Sequence, residues 1–279
     1  MRKIAALSFL FTALHSSALA TWSIIAVDCK TGQVVIASAT CVPQQAFAGF
    51  PAKGLKDVQA IILPGIGVAA AQANVDRTRH LQKLIADQLT LGTEPARIID
   101  MLKAEDQYHA SRQYGIVDLK RRAAGYSGAS NGKQSLDRQG NVEGTEVYFS
   151  IQGNILAGDS VVEDAVNAFK HAKGSLADRV IAAMEAADLR GGDRRCNCNT
   201  PPDPPAQCDN KTAHVAYMVV ANKNDKMGEG LNDASYYLEI QVSDQDITAA
   251  ENDNPVKTLR MRYDRWVKDH SPRQRSKSR

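Results

Sequence analysis

Residues Thr21 to Asp28 form the stretch that most restricts how this chain can fold. Its alternate positions give two sets of side chains, and both sets are largely apolar: Trp22, Ile24 and Ala26 on one side, and Ser23, Ile25 and Val27 on the other. A strand with one face in water shows polar residues at every second position, whereas this stretch needs apolar cover on both faces. The stretch therefore predicts a strand buried inside a layered fold.

Residues 1–20 have the layout of a secretory signal peptide. A short basic segment and an apolar run from Ile4 to Leu14 precede a small-x-small pattern that ends at Ala20. The apolar run is too short to remain in a membrane as a transmembrane helix. We therefore expect cleavage between Ala20 and Thr21, and a protein that is periplasmic or secreted.

The charge and length of the chain restrict its class of partner. The chain of 279 residues carries a formal charge of +3, and removing the leader takes away Arg2 and Lys3 but no acidic residue, which leaves +1. A chain so near neutrality has no electrostatic reason to bind nucleic acid or an anionic membrane. No second apolar run is long enough for a transmembrane anchor. We expect one domain over residues 21–267, followed by a basic disordered tail over residues 268–279.

Helix and strand patterns alternate in groups along the mature chain. Strand-like segments, including Val58 to Leu63, precede one pair of helices, and further strands precede a second pair. In that second pair the capping box Ser160-Val161-Val162-Glu163 opens the first helix, and Ser175 opens the next. Two more strands and a helix over Pro255 to Trp266 follow. This order predicts an α+β fold of two stacked antiparallel sheets with helices outside them.

The first strand is followed by a turn and a returning strand from Val34 to Val42. A two-residue loop at Thr31-Gly32 would place Val42 opposite Thr21. In that register Cys29 and Cys41 do not bond each other across the hairpin. The register also predicts that the residues from Thr40 to Pro43 line the neighbourhood of Thr21.

Thr21 would become the first residue of the mature chain. A threonine in that position carries a hydroxyl nucleophile and an α-amino base on the same residue, which is a recognised pairing for covalent catalysis. The pKa of a free α-amino group is about 7.7–8.0, which suits general base catalysis near neutral pH. Signal-peptide cleavage would then also be the activating step.

Several stretches together resemble the successive motifs of the DUF1028 family. In chain order they are Thr21 to Asp28, Gly67 to Asn74 (GVAAAQAN), Arg112 to Asp118 (RQYGIVD), Gln152 to Gly158 (QGNILAG) and Gly191-Gly192-Asp193-Arg194. The family is of uncharacterised function and is placed in the N-terminal nucleophile (Ntn) hydrolase superfamily. The resemblance implies a four-layer αββα sandwich and hydrolysis of an amide bond by the first mature residue.

Such a reaction also needs hydrogen-bond donors for the negatively charged oxygen of the tetrahedral intermediate. Gly153 and Asn154 are the first candidates, because an Asn beside a Gly at a strand end offers side-chain and backbone N–H groups together. The alternative is that Asn154 only satisfies a turn. Gln72 and Asn74 end an apolar strand, where unbonded amides are costly. They either bind substrate or bridge the two sheets.

Three charged residues are further candidates. Lys53 stands at the same offset from Thr21 as the active-site lysine of proteasome-type members of the superfamily, where it would lower the pKa of the amine. Otherwise it is a solvated loop lysine. Asp193 and Arg194 follow a helix end. As a charge pair they would orient the N-terminal amine or close a substrate pocket, and the alternative is an ion pair on the surface.

The chain has five cysteines, which in an exported protein imply at least one disulfide and a remaining thiol. Three of them lie in a Pro-rich loop over residues 193–212, which looks like an insertion relative to the family pattern. A disulfide from Cys196 or Cys198 to Cys208 is one interpretation. The other is a zinc site that these three cysteines form with His214.

These observations lead to three hypotheses. The first is an exported Ntn-type hydrolase that cleaves a small amide or peptide through Thr21, with no cofactor and no bound metal. The second is a catalytically silent binding or scaffold protein on the same fold. The third is a metal-binding envelope protein that uses the cysteine loop. The substrate, the pairing of the cysteines and a homo-oligomeric state stay open at this point.

Overall fold

The computed structural model describes residues 21–50 and 53–270. The predicted signal peptide over residues 1–20 therefore lies outside the described residues, as does the predicted tail from residue 271 onward. The strands are β1 (Thr21–Asp28), β2 (Gln33–Thr40), β3 (Ala60–Leu63), β4 (Gly67–Ala73), β5 (Arg112–Asp118), β6 (Arg122–Ser127), β7 (Leu136–Asn141), β8 (Val147–Asn154), β9 (Val215–Ala221) and β10 (Leu238–Ser243). The helices are α1 (Leu55–Gln59), α2 (His80–Leu91), α3 (Pro95–Glu105), α4 (Ser160–His171), α5 (Leu176–Leu189) and α6 (Pro255–His270).

The strands form two antiparallel sheets. One sheet has six strands in the order β10-β9-β2-β1-β8-β7, and the other has four in the order β3-β4-β5-β6. The sheets lie face to face, with β4 and β5 packed against β1, β2 and β8. The apolar core between them includes Ile25, Ile36, Val68 and Val117. The predicted α+β arrangement of two stacked antiparallel sheets is therefore confirmed.

Helices cover the outer face of each sheet. The helices α4, α5 and α6 pack on the six-stranded sheet through a core that includes Phe169, Val180 and Leu259. The helices α2 and α3 pack on the four-stranded sheet through residues that include Ile85 and Ile98. Each helix buries one apolar stripe in this way. Among the described residues, no helix combines the length and the hydrophobicity that a membrane crossing requires.

The strand β1 lies in the middle of the six-stranded sheet, between β2 and β8. Trp22 and Ile24 belong to the core on the helix side, whereas Ile25 and Val27 belong to the core between the sheets. All four side chains are at most 1% exposed. The strand is apolar on both faces because it is covered on both faces, as the sequence predicts. Thr21 thus begins one of the most enclosed strands of the described structure.

The hairpin between β1 and β2 has a longer loop than predicted. Thr21 lies opposite Thr40 rather than Val42, and residues 29–32 form the turn. The Asp28 side chain accepts hydrogen bonds from groups of the turn itself, namely Lys30 N, Thr31 N and Thr31 Oγ1. An aspartate that bonds the backbone ahead of it favours this kind of turn over a two-residue loop. The register differs by two positions, so each side chain still points to its predicted face.

Other element boundaries also differ from the prediction. Residues Leu55–Gln59 form α1, so the predicted strand from Val58 begins only at Ala60. The helix α4 has Asp159 as its N-cap, with no capping hydrogen bond from a side chain, and the capping box predicted at Ser160 is wrong. Asp159 already has helical backbone angles, which moves Ser160 into the first turn. The strand β7 was not predicted, and α6 continues past Trp266 to His270.

Candidate functional site

Thr21 lies between two strands at one end of the six-stranded sheet. It pairs with Thr40 on β2 and with Asn154 on β8, and it is 1% exposed. Its Oγ1 hydroxyl donates a hydrogen bond to Thr40 Oγ1 at 3.4 Å. The residues that the sequence predicts around Thr21, namely Gly153, Asn154 and Thr40, are thus its strand neighbours. This end of the sheet is the candidate site.

Asn154 is fully buried directly across from Thr21. Its Nδ2 donates to Gln113 Oε1 on the facing sheet at 3.2 Å, and its Oδ1 has no hydrogen-bond partner. Gln113 also donates from Nε2 to the Gly153 carbonyl at 2.9 Å. Asn154 is therefore the last residue of β8, and its side chain lies between the two sheets. It does not serve a turn, which was the alternative interpretation.

Gln72 connects the two sheets at the same place. Its Nε2 donates to the Thr21 carbonyl at 3.0 Å and to Gln113 Oε1 at 2.8 Å. Its Oε1 accepts from Ser23 Oγ at 2.7 Å and from Gln59 Nε2 at 2.6 Å. All these bonds lie within the protein, which supports the interpretation that Gln72 bridges the sheets. The backbone of Thr21 is fixed by this bridge.

A layer of buried polar side chains surrounds Gln72, and the sequence analysis missed most of it. Its members are almost fully buried and bond one another; besides Gln72 they are Ser23, Gln59, Gln113, Ser150, Gln152 and Tyr217. Buried amides are tolerated when their donors and acceptors are satisfied in this way. The sequence does contain a signal for this layer, because Gln72, Gln113 and Gln152 each lie in a strand whose other residues are mostly apolar. We call these side chains the amide layer.

Asn74 lies outside the amide layer. Its backbone N–H donates to the Ser111 carbonyl at 3.0 Å and its Nδ2 donates to Ser111 Oγ at 3.1 Å. Its carbonyl accepts from the Arg112 guanidinium, which also binds Asp106 through Nε at 2.7 Å. Asn74 therefore secures the end of β4 against the start of β5. The structure brings Gln72 to Thr21, whereas the hydrogen bonds of Asn74 among the described residues go to Ser111 and Arg112.

Asp193 lies at the edge of the site with its carboxylate fully buried. Its Oδ2 accepts from the backbone N–H of Cys41 at 2.9 Å, and Cys41 follows the Thr40 that pairs with Thr21. Arg195 forms the ion pair with Asp193, at 2.7 Å, so the predicted pair of Asp193 with Arg194 is wrong. Asp193 forms an isolated bridge with Leu156, and a turn follows in which the Arg195 backbone N–H donates to Asp193 Oδ1 and the Cys196 N–H donates to the Asp193 carbonyl, each at 3.1 Å. Arg194 is exposed.

Lys53 is exposed near the 3₁₀ turn that follows β2. Its backbone N–H donates to Asp57 Oδ2 at 3.0 Å, and its carbonyl accepts from Gln44 Nε2 at 2.8 Å. Among the described residues, no hydrogen bond or ion pair joins its side chain to Thr21. The contacts of Lys53 therefore do not support the predicted catalytic role.

The cysteines form two disulfides, Cys41–Cys196 and Cys198–Cys208. Cys29 is the remaining thiol, so the prediction that it does not bond Cys41 is confirmed. The Cys198–Cys208 bond is one of the pairings that the sequence left open. Because these two cysteines bond each other, the zinc site predicted from the loop cysteines and His214 is wrong in this state of the chain.

His214 is buried beside the first of these disulfides. Its backbone N–H donates to the Thr40 carbonyl at 2.8 Å, which extends the pairing of β2 with β9. Burial lowers the pKa of its imidazole to about 4, and the nearby Lys211 ammonium acts in the same direction. The ring is therefore neutral at pH 7, and its Nδ1 has no hydrogen-bond partner.

Comparison with known proteins identifies a family and a similar solved structure. A family model described as a family of unknown function, DUF1028, matches residues 21–201. The crystal structure of protein SPO2555 from Silicibacter pomeroyi, which carries the same family model, has a TM-score of 0.62 and 19% sequence identity, over 89% of this chain and 89% of that one. No curated protein matches the sequence. A similarity at this identity shows a shared fold and carries no information about chemistry.

Proposed function

The chain belongs to the DUF1028 family, whose function is unknown, and on that premise we propose that it is an exported Ntn-type hydrolase that cleaves an amide or peptide bond through Thr21. The observation that carries the proposal is the position of Thr21. It begins the central strand, where it pairs with Thr40 and Asn154; its hydroxyl donates to Thr40 Oγ1, and its carbonyl is held by Gln72. The family match also begins at Thr21, the residue that the predicted cleavage leaves first.

Cleavage after Ala20 supplies the base. The Thr21 nitrogen is an amide in the uncleaved chain and becomes an amine once residues 1–20 are removed. This amine takes the proton of the Oγ1 hydroxyl as the oxygen attacks the substrate carbonyl. The substrate amine leaves with that proton, and water then hydrolyses the Thr21 ester. Export to the periplasm or beyond thereby also switches the activity on.

Asn154 is the proposed donor to the oxyanion. An Asn side-chain amide has two N–H donors, and Gln113 accepts from Nδ2 in one bond among the described residues. The second N–H is available to the oxygen that becomes negative in the transition state. Gly153, the second candidate donor, precedes Asn154 on the same strand and lies between its sheet partners Trp22 and Leu136. Asp193, whose buried carboxylate is fixed by Cys41 and Arg195, is the residue to which we assign the orientation of the amine.

The experiment combines protein sequencing with covalent labelling. We expect the mature protein to begin at Thr21 and a β-lactone electrophile to label that residue. Labelling persists in Thr21→Ser, which keeps a hydroxyl, and is lost in Thr21→Ala. The control is Thr31→Ala, which alters an exposed threonine in the turn at the opposite end of β1. A different first residue, or undiminished labelling of Thr21→Ala, would refute the proposal.

A silent binding protein on the same fold is the second candidate. The observation that favours it is the amide layer, in which the amide groups of Gln72 and Gln113 are engaged in hydrogen bonds that hold the two sheets together. This candidate predicts a folded mature chain that begins at Thr21 and reacts with no threonine-directed electrophile. The labelling experiment therefore distinguishes the two candidates.

A further inference from the structure

Three residues from distant parts of the chain meet at the end of the six-stranded sheet. Cys41 directly follows β2, His214 directly precedes β9, and Cys196 comes from the Pro-rich loop. A ring nitrogen of His214 and the two sulfur atoms all lie within 4.8 Å of one another. We call these three residues the Cys–Cys–His cluster. Its position does not depend on the proposed hydrolase chemistry.

The imidazole in this cluster has an unsatisfied group. His214 is 1% exposed, and its Nδ1 is buried without a hydrogen-bond partner. Buried polar atoms in native proteins are nearly always bonded, so an exception calls for an explanation. A structural histidine in a core would normally have both nitrogens satisfied. A buried imidazole beside two sulfur atoms is instead the donor set of a thiolate–imidazole metal site.

We propose that the reduced form of the chain binds Zn²⁺, or a cation of similar chemistry, through Cys41, Cys196 and His214. Zinc bonds of about 2.3 Å to sulfur and about 2.0–2.1 Å to nitrogen in a tetrahedron separate neighbouring ligand atoms by about 3.4–3.8 Å. The three ligand atoms already lie within 4.8 Å of one another, so these distances need only short movements of the side chains once the two sulfur atoms are no longer bonded to each other. Water fills the fourth position, as in other sites with three protein ligands.

The disulfide must open before the metal can bind. A dithiol reductant attacks one sulfur, and the S–S bond gains two electrons and two protons to become two thiols, while the reductant becomes a disulfide. Both thiols then lose their protons to solvent as their sulfur atoms bind the metal. The oxidised chain holds the two sulfur atoms in a covalent bond and offers no thiolate. Metal binding is therefore gated by the redox state of Cys41–Cys196.

The charges around the cluster allow a cation to bind. Arg195 and Lys211 are the nearby positive groups. Arg195 is in an ion pair with Asp193 at 2.7 Å, and Lys211 is in one with Asp253 at 3.1 Å. Their charges are therefore already compensated by carboxylates. The two thiolates add two negative charges, which equal the charge of the divalent metal, so the site is neutral overall when the imidazole is neutral.

The test uses the full chain with the second disulfide removed by Cys198→Ser and Cys208→Ser. This variant is reduced with a phosphine, freed of excess reductant without oxygen, and titrated with Co²⁺ alone. We expect one Co²⁺ per chain, seen as thiolate-to-cobalt charge-transfer absorption, and displacement of the cobalt by Zn²⁺. The same variant with its Cys41–Cys196 bond intact is the matched control, and it should show no such absorption.

Ligand variants and a stability measurement decide the outcome. Adding Cys41→Ser or His214→Ala should weaken binding by at least about tenfold, because a ligand is lost. Zn²⁺ should also raise the melting temperature of the reduced chain. If reduction unfolds a fraction of the chain, Zn²⁺ should increase the folded fraction, because it binds the folded state. The proposal is overturned if the reduced chain gives no thiolate–cobalt absorption and no zinc-dependent shift. It is equally overturned if binding survives His214→Ala or is seen only when Cys198 and Cys208 are present.

Discussion

At the scale of single residues, the amide layer sets the position of Thr21. Gln72 and Gln113 cross the space between the sheets and fix the two strand ends that carry Thr21 and Asn154. Each buried amide is tolerated only while its neighbours complete its hydrogen bonds. The layer therefore behaves as one unit, and removing one member leaves several buried groups without partners. A substitution in the amide layer should therefore lower the free energy of unfolding even when the new side chain has almost the same volume as the old one.

The first prediction concerns Gln72→Leu. The substitution keeps the approximate size of the side chain but removes the partners of Ser23, Gln59, Gln113 and the Thr21 carbonyl. We expect the free energy of unfolding to fall by about 2–4 kcal/mol, because each unsatisfied buried group costs about 1–3 kcal/mol and the layer relaxes in part. Urea denaturation measures the loss.

The same change at an exposed glutamine provides the control for Gln72. Gln107 is exposed, and Gln107→Leu should alter the free energy of unfolding by no more than about 0.5 kcal/mol. If the two leucine variants were equally stable, the hydrogen bonds of Gln72 in the amide layer would not contribute to the free energy of unfolding.

At the scale of single elements, helix starts show how one sequence pattern has two outcomes. The helix α5 begins with a complete capping box, in which Ser175 accepts from the Asp178 backbone and Asp178 accepts from the Ser175 backbone. The helix α4 carries a similar pattern from Ser160, but its N-cap is Asp159 and no side chain caps it. The difference arises because the chain enters α4 already in helical geometry.

The second prediction follows from this pair of helices. Ser175→Ala should lower the free energy of unfolding by about 1 kcal/mol, the usual value of an N-cap hydrogen bond. Ser160→Ala makes the same change one residue inside α4 and should cost less than about 0.5 kcal/mol. Thermal or urea unfolding of both variants measures the difference. Equal losses would mean that both serines cap their helices in solution.

Periodicity in the sequence predicts elements that are covered by other elements, and it fails at the edge strand β7. β1 was predicted because both of its faces are apolar. β7 was not predicted, because its sequence LDRQGN contains Asp137, Arg138, Gly140 and Asn141. Charged residues, glycine and asparagine are poor strand formers. It is a strand because its backbone pairs with β8 at the sheet edge. That pairing is a tertiary contact and leaves no local pattern.

The candidate site, like the fold, could be predicted in part from the sequence. Thr21 and Asn154 were found because each lies at the end of a recognisable strand, and their pairing follows from the sheet. Gln113 was missed, because only the stacking of the sheets brings it to Asn154. The partner of Asp193 was placed one residue too early, since the turn that the Asp193 carboxylate forms with the Arg195 backbone brings Arg195, and not Arg194, to Asp193.

At the scale of the whole molecule, one disulfide closes most of the chain. Cys41–Cys196 joins residues 155 positions apart, whereas Cys198–Cys208 spans 10. In the loop-entropy view a longer loop loses more freedom in the unfolded chain. The third prediction is that replacing Cys41 and Cys196 by serine costs about 4–5 kcal/mol, and replacing the other pair costs about 2–3 kcal/mol.

Urea unfolding of the two double-serine variants tests this ranking. Each variant keeps the other disulfide, so each serves as the control for its counterpart. The reverse order of stability would show that local packing in the loop over residues 193–212 outweighs the constraint on the long loop. It would also show that the Cys–Cys–His cluster can be opened with little effect on the fold.

The fourth prediction concerns acid stability, which depends on how the last helix is fixed to the sheet. Arg262 of α6 donates to Glu251 and also to the Gln241 carbonyl of the edge strand β10. This guanidinium lowers the pKa of Glu251 to about 2, and the Glu251 side chain is only 7% exposed. Since the folded-state pKa lies below the ordinary value of 4.5, the stabilisation is complete above about pH 4.5 and is lost as the pH falls towards 2.

Glu251→Gln removes this titration and should lower the free energy of unfolding by about 1–3 kcal/mol at pH 7. The gap between wild type and variant should narrow by about 1–2 kcal/mol between pH 6 and pH 3, because the wild type takes up a proton on unfolding there. The control is Glu163→Gln, since Glu163 and its partner Arg138 are each nearly half exposed and such surface pairs contribute about 0–1 kcal/mol. A gap at Glu251 that stays constant from pH 6 to pH 3 would mean that this carboxylate is not held by Arg262.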